Sequence, residues 1–133
     1  MGFLAQYTAA VERVEQRKRS AVRKTVVELF QRVVTASPVD TGRFRGNWQV
    51  TIDEPASGSL EETDYSGNRT REQIVSKIGE VEDPLEMDVW MVNNLPYAER
   101  LENGYSQQAP NGMVQLNVLQ FQNILAKRLR EAD

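Results

Sequence analysis

The chain has 133 residues, of which 40% are hydrophobic and 26% charged, and it contains no cysteine and no histidine. This size and composition predict a single soluble domain, 1–133. They exclude disulfides, thiol chemistry and most zinc sites, which leaves carboxylates, Lys, Ser, Thr and Tyr as catalytic groups. Because no apolar run reaches the roughly 20 residues of a membrane span and no secretion signal is recognisable, we expect a cytoplasmic protein.

The net charge of −3 is unevenly distributed along the chain. Residues 1–45 carry nine Lys/Arg and four Asp/Glu, whereas residues 46–110 carry four Lys/Arg and thirteen Asp/Glu. Oppositely charged halves favour head-to-tail association with copies of the same chain, or binding to two different partners. Two solvated faces explain the charge distribution equally well.

A long first helix is predicted over residues 8–35. Val11, Val14, Val22 and Val26 recur at helical spacing, and Ser37-Pro38 ends the helix. The middle of this helix is densely basic and interrupts the apolar stripe, so we expect it to project from the core. As a hypothesis, it contacts DNA nonspecifically through phosphates or meets an acidic partner; a solvated helix face is the equal alternative. The basic residues are Arg17, Lys18, Arg19, Arg23 and Lys24.

The next segment, SPVDTGRFRGNW (37–48), contains the triplet Asp40-Thr41-Gly42. The same triplet supplies the catalytic carboxylate of retroviral-type aspartic proteases, in which two Asp residues share one proton. Here Arg43 and Arg45 follow the triplet, and their positive charges would keep the carboxylate ionised and so disfavour a shared proton. The long first helix also fits badly with an all-β enzyme. A structural turn is favoured instead, since Pro38 fixes φ, the Asp40 side chain can hydrogen-bond to the backbone two residues ahead, and Gly42 accepts a positive φ.

Alternation of Phe44, Trp48, Val50 and Ile52 with polar residues predicts a strand over 44–53 with one face on the core. The small, acidic and turn-rich segment 55–68 is predicted to be a flexible loop, and the acidic stretch 54–66 matches no pattern we can place. Trp48 and Trp90 are both predicted to lie in the core.

The second half of the chain alternates between helices and strands. Thr70 and Gln73 form a candidate capping box for a short helix that ends at Gly79. The apolar run 87–94 predicts a central strand, and Pro96 opens a short helix that Gly104 closes. A third strand is predicted over 114–118 and a last helix over 119–130. The predicted fold is α+β: a small, mostly antiparallel sheet packed with a long N-terminal helix, two short helices and a C-terminal helix.

Two segments together resemble a known family. SPVDTGRFRGNW (37–48) and NNLPYAERLENGYSQQAPNGMV (93–114) look like the tail-completion, or neck, proteins of long-tailed bacteriophages. That family shows a Pro-Val-Asp-Thr-Gly turn leading to Trp, and later Asn-Asn-x-Pro-Tyr-Ala, Leu-Glu-x-Gly, Ser-x-Gln-Ala-Pro and Gly-Met-Val. The later pattern falls on Asn93, Asn94, Pro96, Tyr97, Ala98, Leu101, Glu102, Gly104, Ser106, Gln108, Ala109, Pro110, Gly112, Met113 and Val114. The segment Asn103-Gly104-Tyr105 departs from it, because an aromatic then a His or similar residue is common around that Gly.

The resemblance implies a non-enzymatic virion component without a cofactor or metal, assembled in the host cytoplasm. It implies a ring of copies, usually sixfold, that joins head to tail. The implied partners are the tail terminator, tail tube, head-closure and tape-measure proteins, and passing DNA. A tail terminator or head-closure protein is the alternative. Residues expected to contact a neighbouring subunit or partner are Arg43, Arg45, Asn47, Arg100, Glu102, Tyr105, Gln107, Gln108 and Pro110.

Overall fold

The computed structural model describes residues 3–132, and for residues 3–5 and 7 it describes the backbone only. The fold is α+β, with 52% of residues in helices and 6% in strands. The helices are α1 (Phe3–Ala36), α2 (Asn68–Gly79), α3 (Ala98–Glu102), α4 (Val114–Val118) and α5 (Phe121–Glu131), and the strands are β1 (Gln49–Ile52) and β2 (Val89–Val92). None of the helices within 3–132 is both long enough and apolar enough to cross a lipid bilayer.

The core forms around the C-terminal half of α1. Helices α2, α4 and α5 all pack against α1. Both segments that carry the resemblance contribute to the same buried cluster. Its members are Val33, Val34, Phe44, Trp48, Ile74, Ile78, Leu95, Ala109 and Met113.

An ion-pair network ties the C-terminal helix to α1. One carboxylate oxygen of Glu28 lies 2.6 Å from Nη2 of Arg128 on α5, and the other lies 2.6 Å from Nη2 of Arg32. Burial alone would raise the pKa of Glu28. The hydrogen bonds and charges of Arg128 and Arg32 outweigh this effect, so the pKa lies below its ordinary value. The predicted C-terminal helix is therefore present and is held in place by charge as well as by apolar contacts.

The predicted first helix is present, but its basic middle does not project as a unit. Arg19 Nε lies 3.2 Å from a carboxylate oxygen of Asp83, and Arg23 Nη1 donates to the carbonyl oxygens of Ile78 and Val81 at 2.7 and 2.6 Å. Arg19 and Arg23 therefore stabilise the chain at the end of α2. The prediction that they belong to a projecting basic patch is wrong for these two residues. Arg17, Lys18 and Lys24 are exposed.

Replacing Arg23 with Ala is expected to lower the free energy of unfolding by about 2 kcal/mol, because two backbone carbonyls lose a charged donor. Lys24→Ala is the matched control, since Lys24 is the exposed neighbouring cation on the same helix. Urea denaturation of both variants measures the difference. Equal effects of the two substitutions would show that the bonds to Ile78 and Val81 contribute nothing specific.

The sheet has two antiparallel strands, with Val50 opposite Met91 and Thr51 opposite Trp90. The predicted strand 44–53 is too long, because residues 45–47 form a 3₁₀ turn before β1 starts. The prediction of a central strand at 87–94 is wrong, since β2 pairs only with β1 within the described residues. Trp48 is buried as predicted and donates from Nε1 to Ser37 Oγ at 2.8 Å. Trp90 is instead 41% exposed.

The third predicted strand, 114–118, is wrong: these residues form α4. The physical reason is a distant cap. The carboxylate of Glu102 accepts the backbone N–H groups of Met113, Val114 and Gln115, each at 2.9 Å, which satisfies the free donors of a helix start. Helix α4 thus begins where the glutamate places it.

The start of α2 also differs from the prediction, because Asp64 and not a Thr70–Gln73 box provides the cap. The Asp64 carboxylate accepts the N–H of Gly67 at 3.1 Å, and the N–H and the hydroxyl of Thr70 at 2.7 Å each. Asp64 is buried, and burial alone would raise its pKa. The hydrogen bonds from Thr70 and Gly67 and the charge of Arg69 outweigh this effect, so the pKa lies below its ordinary value. The helix ends at Gly79 as predicted.

Candidate assembly surface

The two segments that carry the resemblance lie side by side. The side-chain amide of Gln108 pairs with the backbone of Val39: Oε1 accepts the Val39 N–H at 2.9 Å, and Nε2 donates to the Val39 carbonyl at 3.1 Å. Asn93 Nδ2 donates to the carbonyl of Phe44 at 2.9 Å, and the rings of Phe44 and Tyr97 lie 6.0 Å apart. Residues about 50 to 70 positions apart in sequence thus form one surface.

This surface encloses a groove of about 510 Å³ between the turn after α1 and α3. Tyr97, Leu101 and Tyr105 supply its apolar and aromatic wall. The opposite wall is the turn itself, from Pro38 to Phe44, and Ser106 and Gln108 complete the lining. Grooves with aromatic walls and a few placed polar groups commonly bind partners.

The chain turns at residues 38–42, and Gly42 has the positive φ predicted for it. Gly42 has φ +91°, and a Cβ built there would lie 2.5 Å from the backbone nitrogen of Tyr65. The local side-chain hydrogen bond differs from the prediction, because it comes from Thr41 and not from Asp40: Thr41 Oγ1 accepts the N–H of Arg43 at 3.2 Å. Asp40 is exposed to solvent and lines the groove. Gly42 is therefore needed because the backbone of the loop residues Asp64 and Tyr65 passes directly over it.

The loop after α3 is held in shape by two glycines. A Cβ on Gly104 would lie 2.3 Å from the carbonyl oxygen of Pro110, and a Cβ on Gly112 would lie 2.3 Å from that of Glu102. Both glycines have positive φ, at +90° and +79°. Ala109, buried in the core, anchors the loop between them. The loop is a closed backbone structure fixed at both ends.

Several predicted contact residues are exposed on or beside this surface. Tyr105 is 71% exposed, and the guanidinium carbon of Arg100 lies 5.0 Å from its ring centroid. Gln107 and Pro110 are exposed on the loop, and Arg43 is exposed on the turn. These residues have the accessibility that a contact with another molecule needs.

Four predicted contact residues have internal roles instead, and one of them is Gln108, whose side-chain amide pairs with the backbone of Val39. Asn47 is 0% exposed, and its side chain bonds both the N–H and the carbonyl of Leu60, so it fastens the acidic loop. Arg45 donates to the carbonyls of Tyr65 and Ser37 at 2.9 and 2.7 Å. Glu102 caps α4 with its carboxylate.

Asp64 is the residue that sequence reasoning missed, because the acidic stretch around it gives no sign that one carboxylate is buried. A signal was present in the Asp64-x-x-Gly67-x-x-Thr70 spacing, which places an acceptor ahead of a helix start. Among residues 3–132, no group of three or more acidic side chains is arranged to hold a metal ion.

Comparisons with known proteins found no family model, no curated protein and no solved structure that matches this chain.

Proposed function

We propose that this chain is a structural virion protein at the head-proximal end of a phage tail, where it completes the tail and forms part of the neck joining head to tail. The observation that carries the proposal is the juxtaposition of the two segments that bear the family resemblance. The Gln108–Val39 pairing joins 37–48 to 93–114 across one exposed groove. A surface assembled from both segments is what a shared docking role requires.

In this proposal the protein acts by binding and performs no chemistry. Copies of the chain associate in a ring, and the ring meets the tail terminator, tail tube, head-closure and tape-measure proteins. The uneven charge distribution supports contacts between unlike surfaces, which form a ring when the rotation between neighbouring copies closes. The aspartic protease alternative is disfavoured because the fold is 52% helical, which fits badly with an all-β enzyme.

Electron microscopy of particles from a phage that lacks this gene tests the proposal. Finished heads beside unjoined or abnormally long tails are the expected result. Empty or DNA-leaking heads would instead favour a head-closure role, and complete particles would contradict all connector roles.

Peptide cleavage by the purified protein separates the structural role from the enzymatic one. Asp40→Asn keeps the size of the side chain and removes the carboxylate. The structural role predicts that neither the natural chain nor this variant cleaves a peptide. Cleavage by the natural chain that is lost in a normally folded Asp40→Asn protein would support the protease alternative.

A further inference from the structure

A second groove lies between α1, α2 and α5, and it shares no lining residue with the groove of the candidate assembly surface. Its volume is about 480 Å³. Val27, Val75 and Ile78 form its apolar wall, and Val75 is 51% exposed although it lies in the groove. This groove thus leaves an apolar wall open to solvent, as a binding site for another molecule does.

The charged side chains that line this groove carry an excess of positive charge. They are Arg23, Lys24, Arg128 and Glu28. The Glu28 carboxylate pairs with Arg128, whereas Arg23 donates to two backbone carbonyl oxygens, which do not neutralise its charge. Lys24 is exposed. We call this the cationic groove, and its charge favours an acidic occupant.

A turn shortly after α2 is acidic and carries an exposed apolar side chain. Three of the five residues of this acidic turn, 82–86, are Asp or Glu. Its shape is fixed by Asp83, whose backbone carbonyl accepts the N–H of Glu86 at 3.1 Å and whose carboxylate accepts that of Leu85 at 3.0 Å. Leu85 is 40% exposed, and Glu82 and Glu86 are exposed as well. The acidic turn thus combines one exposed apolar side chain with exposed carboxylates.

The acidic turn and the cationic groove are neighbours on the surface of one chain. Arg23 lines the groove, and its guanidinium donates to the carbonyl oxygen of Val81, directly before the turn, at 2.6 Å. Arg19, one helical turn before Arg23, pairs with Asp83 in the turn at 3.2 Å. Adjacent patches of opposite charge make a surface complementary to itself, because a two-fold rotation places each patch opposite the other.

We propose that this surface joins two copies of the free protein around a two-fold axis, with the acidic turn of each copy in the cationic groove of the other. Leu85 then covers the apolar wall at Val75, and the carboxylates of the turn meet the cations of the groove. A second copy is the occupant because turn and groove have opposite charges, so that neither is left unpaired, and because they are adjacent, as an isologous contact requires. The proposal concerns the protein in solution and does not depend on the neck role.

Charge exchange between the two patches tests the pairing. One variant carries Glu82→Lys and Glu86→Lys in the turn, and the other carries Lys24→Glu in the groove. Sedimentation equilibrium of the natural chain at low salt is expected to show monomers and dimers, with a dissociation constant that rises with salt. Each variant alone should have a dissociation constant at least about tenfold higher, because the attraction at both contacts is removed or reversed. An equimolar mixture of the two variants should recover the dimer, since repulsive like pairs are then replaced by mixed pairs.

The matched control carries Glu61→Lys and Glu99→Lys, which change the net charge by the same amount as the turn variant. Both positions are exposed and lie outside the acidic turn and the cationic groove. This control should dimerise within about threefold of the natural chain, because the contacting charges are unaltered. Circular dichroism and urea denaturation of every variant show whether a loss of pairing reflects a loss of folding.

Several outcomes would overturn the pairing. A natural chain that stays monomeric at about 1 mM, where even a weak contact is populated, would do so, as would one that forms rings without a dimer. Folded variants that dimerise as tightly as the natural chain, or that fail to recover the dimer when mixed, would show that another surface joins the copies. None of these outcomes bears on the neck role, because the experiment uses purified protein alone.

Discussion

Gly42→Ala is expected to lower the free energy of unfolding by about 3 kcal/mol or more. Alanine is strained at the positive φ of this position, and its Cβ would overlap backbone atoms of a neighbouring loop. The Cβ would lie 2.5 Å from the nitrogen and 2.8 Å from the Cα of Tyr65, both backbone atoms that cannot turn aside as a side chain could. Thermal or urea denaturation measures the loss. The turn, the crossing loop and the start of α2 should all be disturbed, since Asp64 precedes Tyr65 in the same crossing.

Gly58→Ala is the matched control for this substitution. Gly58 has a similar φ of +76°, but nothing lies within 4 Å of a Cβ built there. Its replacement should cost only the backbone strain, about 1–2 kcal/mol. If the two variants were equally destabilised, the close approach of residues 64–65 would not be what requires a glycine in the Asp-Thr-Gly triplet.

Glu102→Gln is expected to lower the free energy of unfolding by about 2 kcal/mol at neutral pH, because an amide cannot replace both carboxylate oxygens as acceptors. Oε1 accepts from Met113 and Val114 and Oε2 from Gln115, so the amide –NH₂ would face at least one N–H donor. Glu99→Gln, at an exposed position on the same helix, is the control and should change stability little. Chemical denaturation at pH 7 measures both.

The difference between wild type and Glu102→Gln should depend on pH. Burial alone would raise the pKa of Glu102. The backbone hydrogen bonds from Gln115, Val114 and Met113 outweigh this effect, so the pKa lies below its ordinary value of 4.5. The contribution of the carboxylate is therefore complete above pH 4.5 and is lost as pH falls through the lowered folded pKa. A difference that stays constant from pH 7 down to acid unfolding would contradict this account of the cap.

The elements that sequence analysis predicted correctly are those encoded by their own residues. Helix α1 has a sustained apolar period and a Ser37-Pro38 stop, and its range is close to the prediction. At Asp40-Thr41-Gly42 the positive φ predicted for Gly42 is observed, whereas the side-chain bond predicted for Asp40 is made by Thr41. The α+β class follows from these elements together with the helix at the C-terminus.

The errors lie where a distant side chain decides the local structure. Val114, Leu116 and Val118 alternate as a strand would, but five residues are too few to separate the two periods, and Glu102 caps them as a helix. Similarly, Asp64 displaces the predicted capping box at Thr70. The spacing of Asp64 ahead of Thr70 is a local signal for its cap, but Glu102 lies 11 positions before Met113 and cannot be assigned as a cap before the chain is folded.

The candidate surface was only partly predictable for the same reason. Tyr105, Gln107 and Pro110 are exposed on an irregular loop, as loop residues commonly are. Asn47 and Arg45 are polar residues near the turn, and in sequence they look like contact residues. Their hydrogen bonds to Leu60 and Tyr65 depend on the path of the acidic segment, which has no periodic pattern to predict it.

In the loop closed by Gly104 and Gly112, the residues that fix the backbone path differ from the residues that form the outer surface. Backbone contacts to Pro110 and Glu102 fix the path of the chain, and Ala109 is its buried anchor. The outward side chains Tyr105, Gln107 and Asn111 are not needed to hold that path. Mutation of these side chains can therefore change the outer surface of the loop while the glycine approaches and the buried Ala109 keep its backbone path.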